Sequence, residues 1–177
     1  VIPARYGSTR FRGKPLAEIA GVPMIVRVLD RAAKIRNADA VIVATDDRRI
    51  KAAVEEAGGV AVLTAASHPS GTSRVREAAE YFLHGIVINV QGDEPLLPVS
   101  AVERLIDAMR DDPRLMMATL ASPASDYEDL MRPDVVKVVC DREGDALYFS
   151  RSPLPYPGFA APPVAGAGRS KSKKSTA

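Results

Sequence analysis

Arg5, Arg10, Arg12 and Lys14 place four cationic side chains within ten residues, interleaved with Gly7 and Gly13. Cations at that density suit a polyanion, and glycines let backbone N–H groups approach it, so the loop reads as a cradle for a triphosphate. It is not the Walker A arrangement. Five residues separate Gly7 from Gly13 where that motif has four, and Pro15 follows Lys14 where Ser or Thr is required. From composition alone a solvated basic loop is an equal alternative. The loop follows an apolar run at residues 1–4, and open α/β sheets bind ligands beyond the carboxyl ends of their strands, which favours the ligand reading.

A second group is Asn89-Val90-Gln91-Gly92-Asp93-Glu94-Pro95, where an apolar run ends in a turn carrying two carboxylates. Magnesium takes one or two protein carboxylates and keeps several waters, so a carboxylate here can hold the ion against phosphate oxygens, and Asp93 is the metal candidate. The plainer alternative is a turn whose Asp caps a helix beginning near Pro98. A third group, His68-Pro69-Ser70-Gly71-Thr72-Ser73-Arg74, leads into a helical pattern. Arg74 and the backbone at Gly71 could read a base edge, while Ser-Gly-Thr also makes an ordinary helix N-terminus. His68 is one of two histidines with no Cys or His cluster beside it, which argues against zinc. Nothing resembles a nucleophile elbow.

The elements that must position these groups alternate. Short β-branched runs at 1–4, 41–45, 60–63, 86–90, 116–121 and 135–139 predict strands. Between them, apolar residues recur at helical spacing: Ile25, Val28, Leu29, Ala32; Ile50, Ala53, Val54, Ala57; Val75, Ala78, Ala79, Phe82; and Val102, Leu105, Ile106, Met109. Gly58 and Gly59 should stop the second helix, and Pro98 suits the first turn of the fourth. The alternation predicts an α/β fold with a mostly parallel sheet. Its chemistry should lie in the polar loops 5–15, 46–47, 64–72 and 91–95.

Of 24 Lys and Arg, the residues Arg169, Lys171, Lys173 and Lys174 fall in the last nine positions with no acid among them. The rest is near balance with 22 Asp and Glu, so the basic excess belongs to a tail and gives no sign of nucleic-acid binding. Pro153, Pro155, Pro157, Pro162 and Pro163 precede small residues, Ser and Lys. Disorder is expected over 159–177. The single Cys140 excludes an internal disulfide framework and fits a reducing compartment, with the cytoplasm as the plain expectation. No apolar run approaches the roughly 20 residues of a membrane span. The chain opens inside an apolar run at Val1 and is expected to be a fragment at its front edge.

Ile2-Pro3-Ala4-Arg5-Tyr6, then Ser8-Thr9-Arg10, Gly13-Lys14-Pro15-Leu16 and Pro23-Met24-Ile25-Val26 resemble the opening of the 3-deoxy-manno-octulosonate (KDO) cytidylyltransferases, or CMP-KDO synthetases. The resemblance continues through Val41-Ile42-Val43-Ala44-Thr45-Asp46, His68 with Ser70-Gly71-Thr72, the run from Asn89 to Pro95, Met117-Ala118-Thr119-Leu120 and Val136-Lys137-Val138-Val139. It ends at Ala146-Leu147-Tyr148-Phe149-Ser150-Arg151 and Pro155. Many motifs in order over most of the chain make a specific signal.

The resemblance implies a three-layer Rossmann-like nucleotidyltransferase fold over residues 1–157, incomplete at its C-terminus, with 158–177 as a tail outside the family. It implies CTP and KDO as substrates, Mg2+ as cofactor, CMP-KDO and pyrophosphate as products for lipopolysaccharide assembly, and a homodimer. Ala4, Arg5, Arg10, Lys14, Ser70, Gly71, Arg74 and Asp93 would bind nucleotide, with Lys14, Arg10 and Asp93 central to catalysis. Asp93 would hold magnesium, Arg74 would belong to the cytosine site, Gln91 would lie between nucleotide and sugar, and Arg151 would hold the sugar acid.

Three features depart from the family. Ser73 stands where an acidic residue is usual, and Phe11-Arg12 replaces a Leu-Pro pair. Family members also continue past this length to a second metal-binding Asp. An inactive, truncated CTP-binding fragment is therefore a rival expectation, and an enzyme like the sialic acid cytidylyltransferases is another.

Overall fold

A three-residue strand with every side chain buried needs neighbours on both edges and cover on both faces, and β1 (Ile2–Ala4) is such a strand. The computed structural model describes residues 1–7, 11–82, 85–123 and 126–154, in two compact units, Val1–Leu120 and Ala121–Ala177. In the first unit β1 is followed by a 3-10 turn (Lys14–Leu16) and a small hairpin of β2 (Glu18–Ile19) and β3 (Val22–Pro23). Then come α1 (Met24–Ala32), β4 (Ile42–Thr45), α2 (Arg48–Glu56), β5 (Val60–Leu63), α3 (Gly71–Glu80) and α4 (Val99–Asp111).

The sheet runs β1-β4-β5, all parallel, with Ile2 opposite Val43 and Val43 opposite Ala61. Helices α1 and α2 touch each other, α2 packs against β4 and β5, and α3 packs against β1 and β4. The right-handed rule for parallel crossovers puts α1 and α2 on one face and leaves the other for α3. This is the predicted α/β, three-layer order. Ile2, Ile25, Val28, Leu29, Val43, Ile50, Val54, Val102 and Ile106 form one buried cluster.

The helix ends follow their sequence signals. Asp47 caps α2 by accepting from the Arg49 N–H. Gly58, at φ +79°, closes it, while the Gly59 N–H returns to the Val54 carbonyl at 2.9 Å. Ser70 and Ser73 form a reciprocal capping box on α3, so Ser73 does here what Glu or Gln more often does. Pro98 is the residue before α4 rather than a member of its first turn.

Three predicted strands differ. Residues 86–90 form no ladder, yet the Val1 amino group donates to the Ile88 carbonyl at 2.7 Å and the Val90 N–H donates to the Val1 carbonyl at 3.0 Å. Those two bonds are the pattern of a single parallel rung, and they set the segment along the free edge of β1. Residues 116–121 pair with no strand among the described residues, and Met116 and Met117 are 89% and 87% exposed. Apolar, β-branched composition reports readiness to pair, and a strand exists only where a neighbour supplies the other half of the ladder. In the second unit, 135–139 becomes β6 (Lys137–Cys140) after a short α5 (Tyr127–Met131), and it pairs antiparallel with β7 (Ala146–Ser150) instead of joining a parallel sheet. The buried Lys137 ammonium sits inside that hairpin, donating to the carbonyls of Arg132, Val135 and Arg151 at 2.7 Å each.

The tail at 158–177, its expected disorder over 159–177, and Pro155 lie outside the described residues. No helix among the described residues is long and apolar enough to cross a membrane.

Candidate active site

The segment at 86–90 lies on one side of β1 and β4 on the other, so the chain leaves the carboxyl ends of these neighbours in opposite directions. Such a switch point opens a crevice, and here it is lined by Arg5, Phe11, Lys14 and Pro15 after β1 and by residues 91–93.

The first loop is closed by the Gly13 N–H donating to the Tyr6 carbonyl at 2.9 Å. Gly13 has φ +74°, and a Cβ there would lie 3.0 Å from the Tyr6 ring, so only glycine allows the ring to lie beneath the loop. Arg49 stacks on that ring at 3.6 Å from its centroid. Its guanidinium donates twice to Asp47, at 3.0 and 2.6 Å, and this holds the Asp47 carboxyl below the usual carboxylate range. The loop's aromatic anchor is thereby tied to the start of α2. Beyond Gly13 the 3-10 turn presents Lys14, whose Nζ donates to Asp93 Oδ2 at 2.6 Å.

The second loop presses on β1. A Cβ on Gly92 would meet the Pro3 carbonyl oxygen at 2.8 Å, and one on Gly71 would meet Pro3 Cγ at 3.2 Å. These two glycines bring the 91–95 loop and the start of α3 up to the same proline. Gln91 Nε2 donates to Asn89 Oδ1 at 3.0 Å.

At the start of α3, Arg74 is 3% exposed. Its Nη2 donates to Asp46 Oδ2 at 2.8 Å and its Nη1 to the Thr64 hydroxyl. His68 pairs with Glu77, which also accepts from the Ala65 N–H, and the His68 contact is the main reason the Glu77 carboxyl lies below its ordinary value.

Ala4, Arg5, Lys14, Ser70, Gly71, Arg74, Gln91 and Asp93 therefore line one cleft of about 520 Å³. Eight predicted residues from separate parts of the sequence converge there. Arg10 lies outside the described residues. Arg151 belongs to the second unit, where its Nη1 donates to the Pro133 carbonyl at 2.9 Å. Asp93 caps no helix, since α4 has no side-chain cap. The sequence reading gave no role to Tyr6, Asp46, Arg49 or Thr64. Asp46 and Thr64 stand in loops marked as strand ends, which was the available signal, whereas a stacking pair such as Tyr6 and Arg49 leaves no spacing rule to read.

Among the described residues no group of three or more His, Cys, Asp or Glu could hold a metal ion. One half-exposed carboxylate facing a cleft lined by cations fits a magnesium ion shared with a nucleotide's phosphates, which needs only one or two protein carboxylates. An apolar cavity of about 490 Å³ lies at the other ends of the strands, lined by Ile35, Val41, Ile86 and Ile106 among others, and has no comparable convergence of charged groups.

A family model described as Cytidylyltransferase matches residues 1–158. The 3-deoxy-manno-octulosonate cytidylyltransferases of Chromohalobacter salexigens and of Anaeromyxobacter sp. are 52% and 54% identical to this chain, over 88% of it and 62% and 63% of their own lengths. A solved structure of CMP:2-keto-3-deoxy-manno-octonic acid synthetase complexed with CTP is 48% identical, with a TM-score of 0.83, over 90% of this chain and 66% of that one. A cytidylyltransferase from Leptospira borgpetersenii, 23% identical with a TM-score of 0.57, shares the fold over 63% of this chain. The chain thus spans somewhat over three fifths of the length of the curated relatives it matches.

Proposed function

The chain belongs to the cytidylyltransferase family, and from that premise we propose that it binds CTP in the cleft between β1 and residues 86–90, as the nucleotide part of an enzyme that transfers CMP to KDO. The carrying observation is the convergence of Arg5, Lys14, Ser70, Gly71, Arg74, Gln91 and Asp93 on one cleft. Its base end is cationic, buried and fixed at Arg74, while its phosphate end offers Arg5, Lys14 and the close-packed backbone of Gly92. Arg10 joins the phosphate end in this proposal by the resemblance of its motif.

In the reaction, the anomeric hydroxyl of the sugar acid attacks the α-phosphorus as pyrophosphate leaves, giving a CMP-sugar. Arg5 and Lys14 hold the triphosphate in line and neutralise charge that builds on the departing oxygens, so positioning and electrostatics supply most of the rate. Asp93 would hold magnesium, whose chemistry here is neutralisation of charge on the phosphate oxygens. Gln91, which donates to Asn89, is proposed for the junction of nucleotide and sugar, and Arg151 for the sugar's carboxylate. Lipopolysaccharide assembly, a cytoplasmic location and a homodimer belong to the same proposal, and the exposed free thiol of Cys140 suits a reducing compartment.

The test is calorimetric titration of CTP with and without magnesium, followed by CMP-sugar formation from CTP and KDO. It is run on this chain and on one carrying the C-terminal region of a relative. Magnesium-dependent CTP binding by this chain supports the reading. Binding without turnover here, with turnover in the longer chain, assigns catalysis to the additional region. No CTP binding by either overturns the proposal.

A further inference from the structure

Arg74 is a buried cation built into a wall of the cleft. Burying a charge is costly unless it is paired and hydrogen-bonded, and such pairs are weak contributors to stability, so a fixed buried Arg beside a cleft calls for another reason. Its two terminal nitrogens are tied to different strand ends. Nη2 donates to Asp46 at the end of β4, and Nη1 donates to the hydroxyl of Thr64 at the end of β5. Thr64 is fixed in turn, with its N–H and its hydroxyl both donating to the Thr45 carbonyl, at 2.9 and 3.2 Å. A guanidinium carries five N–H donors and no acceptor. Among the described residues Asp46 and Thr64 take one each, leaving N–H groups of a rigidly oriented fork for an acceptor in the cleft.

A donor-only fork discriminates between pyrimidines. The Watson–Crick edge of cytosine carries acceptors at O2 and N3, whereas uracil carries an N–H at position 3. We infer that Asp46 is a positioning residue which, acting through Arg74, sets the preference of the cleft for cytosine over uracil. The inference rests on the proposed CTP site. Asp46 touches no base itself; it fixes the plane of the guanidinium, and Thr64 fixes its other arm. Without the carboxylate the fork can turn, and donors that meet O2 and N3 only in one orientation lose their selectivity.

The test measures CTP and UTP affinities, each with magnesium, for the wild-type chain and for Asp46→Asn, Arg74→Met and the double variant, with thermal melting of each. Wild type is expected to prefer CTP. Asp46→Asn should lower the CTP-to-UTP affinity ratio by about tenfold, in line with a charged hydrogen bond. Arg74→Met should lower it at least as far, and adding Asp46→Asn to Arg74→Met should change the ratio no further. Should Asp46→Asn melt before binding can be read, Thr64→Val gives the same test through the other tether, with Thr64→Ser restoring the ratio. A ratio unchanged in Asp46→Asn, or an effect that adds in full to that of Arg74→Met, overturns the inference. A wild-type chain that binds no CTP overturns the proposed function instead, before any variant is compared.

Discussion

The Lys14 ammonium lies 2.6 Å from the Asp93 carboxylate, joining the cationic loop after β1 to the acidic turn after residues 86–90. Both side chains are well exposed, at 39% and 49%, so the pair contributes little to stability, ~0–1 kcal/mol. Its significance is that a basic and an acidic group of the candidate site neutralise one another across the cleft. Under the proposed function the two must exchange partners when metal and nucleotide arrive. Lys14→Met should therefore raise the affinity of the free chain for Mn2+, followed by electron paramagnetic resonance, by several-fold, and weaken CTP binding at least tenfold. Asp93→Asn should abolish the Mn2+ signal while its melting temperature stays within a few degrees of wild type.

The stack of Arg49 on Tyr6 makes a separate prediction. A cation over an aromatic face at an exposed site is worth ~0.5–1 kcal/mol, and here it also orders the loop that carries Arg5 and Lys14. Tyr6→Leu keeps bulk beneath Gly13 and removes the stack. The expected result is a several-fold rise in the Kd for CTP, and a smaller change for Arg49→Lys. If affinity is unchanged, the loop is held by other contacts.

Much of this site is legible in the sequence because strand-end loops announce themselves. A run such as residues 1–4 followed by Arg5, Gly7, Gly13 and Lys14 states both its place in an α/β sheet and its charge. Helical spacing finds α1 to α4 because a buried stripe recurs every three or four residues, and Gly58 marks a stop because it must take positive φ. Pairing is less legible. Residues 86–90 and 116–121 are both short, largely apolar runs, yet one reaches a single rung beside β1 and the other stays largely exposed, since a ladder depends on a partner far away in the chain. The hairpin of β2 and β3, turning at Ala20 and Gly21 with positive φ at both, also escaped the reading. Its turn is held from outside by Arg27, which donates to the carbonyls of Ile19 and Ala20. Side-chain tethers such as Asp46 to Arg74, 28 positions apart, have no signature in spacing at all.

Gly92 tests the seat of the acidic turn. Its missing side chain lets the turn approach β1 so closely that a Cβ would stand 2.8 Å from the Pro3 carbonyl oxygen, a backbone atom that cannot swing aside. Gly92→Ala should cost ~1–3 kcal/mol as overpacking, a fall of several degrees in melting temperature. It should also move Asp93 away from Lys14. A variant with unchanged melting and unchanged CTP affinity would show that the turn has slack.

The acid limb of stability should report a contact remote from the cleft. Arg36 grips Glu103 of α4 with its backbone N–H, Nε and Nη2, at 2.9 to 3.0 Å, and these bonds pull the Glu103 carboxyl down to about 2 from an ordinary 4.5. A carboxyl depressed in the folded state adds stability that is fully present above 4.5 and is lost as pH falls toward 2, because the unfolded chain takes up the proton first. Glu103→Gln should melt lower than wild type at pH 7, and the gap should narrow through that window and close near its lower end. Arg36 is largely exposed, so added salt should shrink the gap at pH 7 as well. Melting curves at pH 7, 5, 4, 3 and 2 decide the matter. A gap that stays constant from pH 7 to 2 would mean that the loss in Glu103→Gln comes from packing, and that the Arg36 contact leaves the acid titration of the fold untouched.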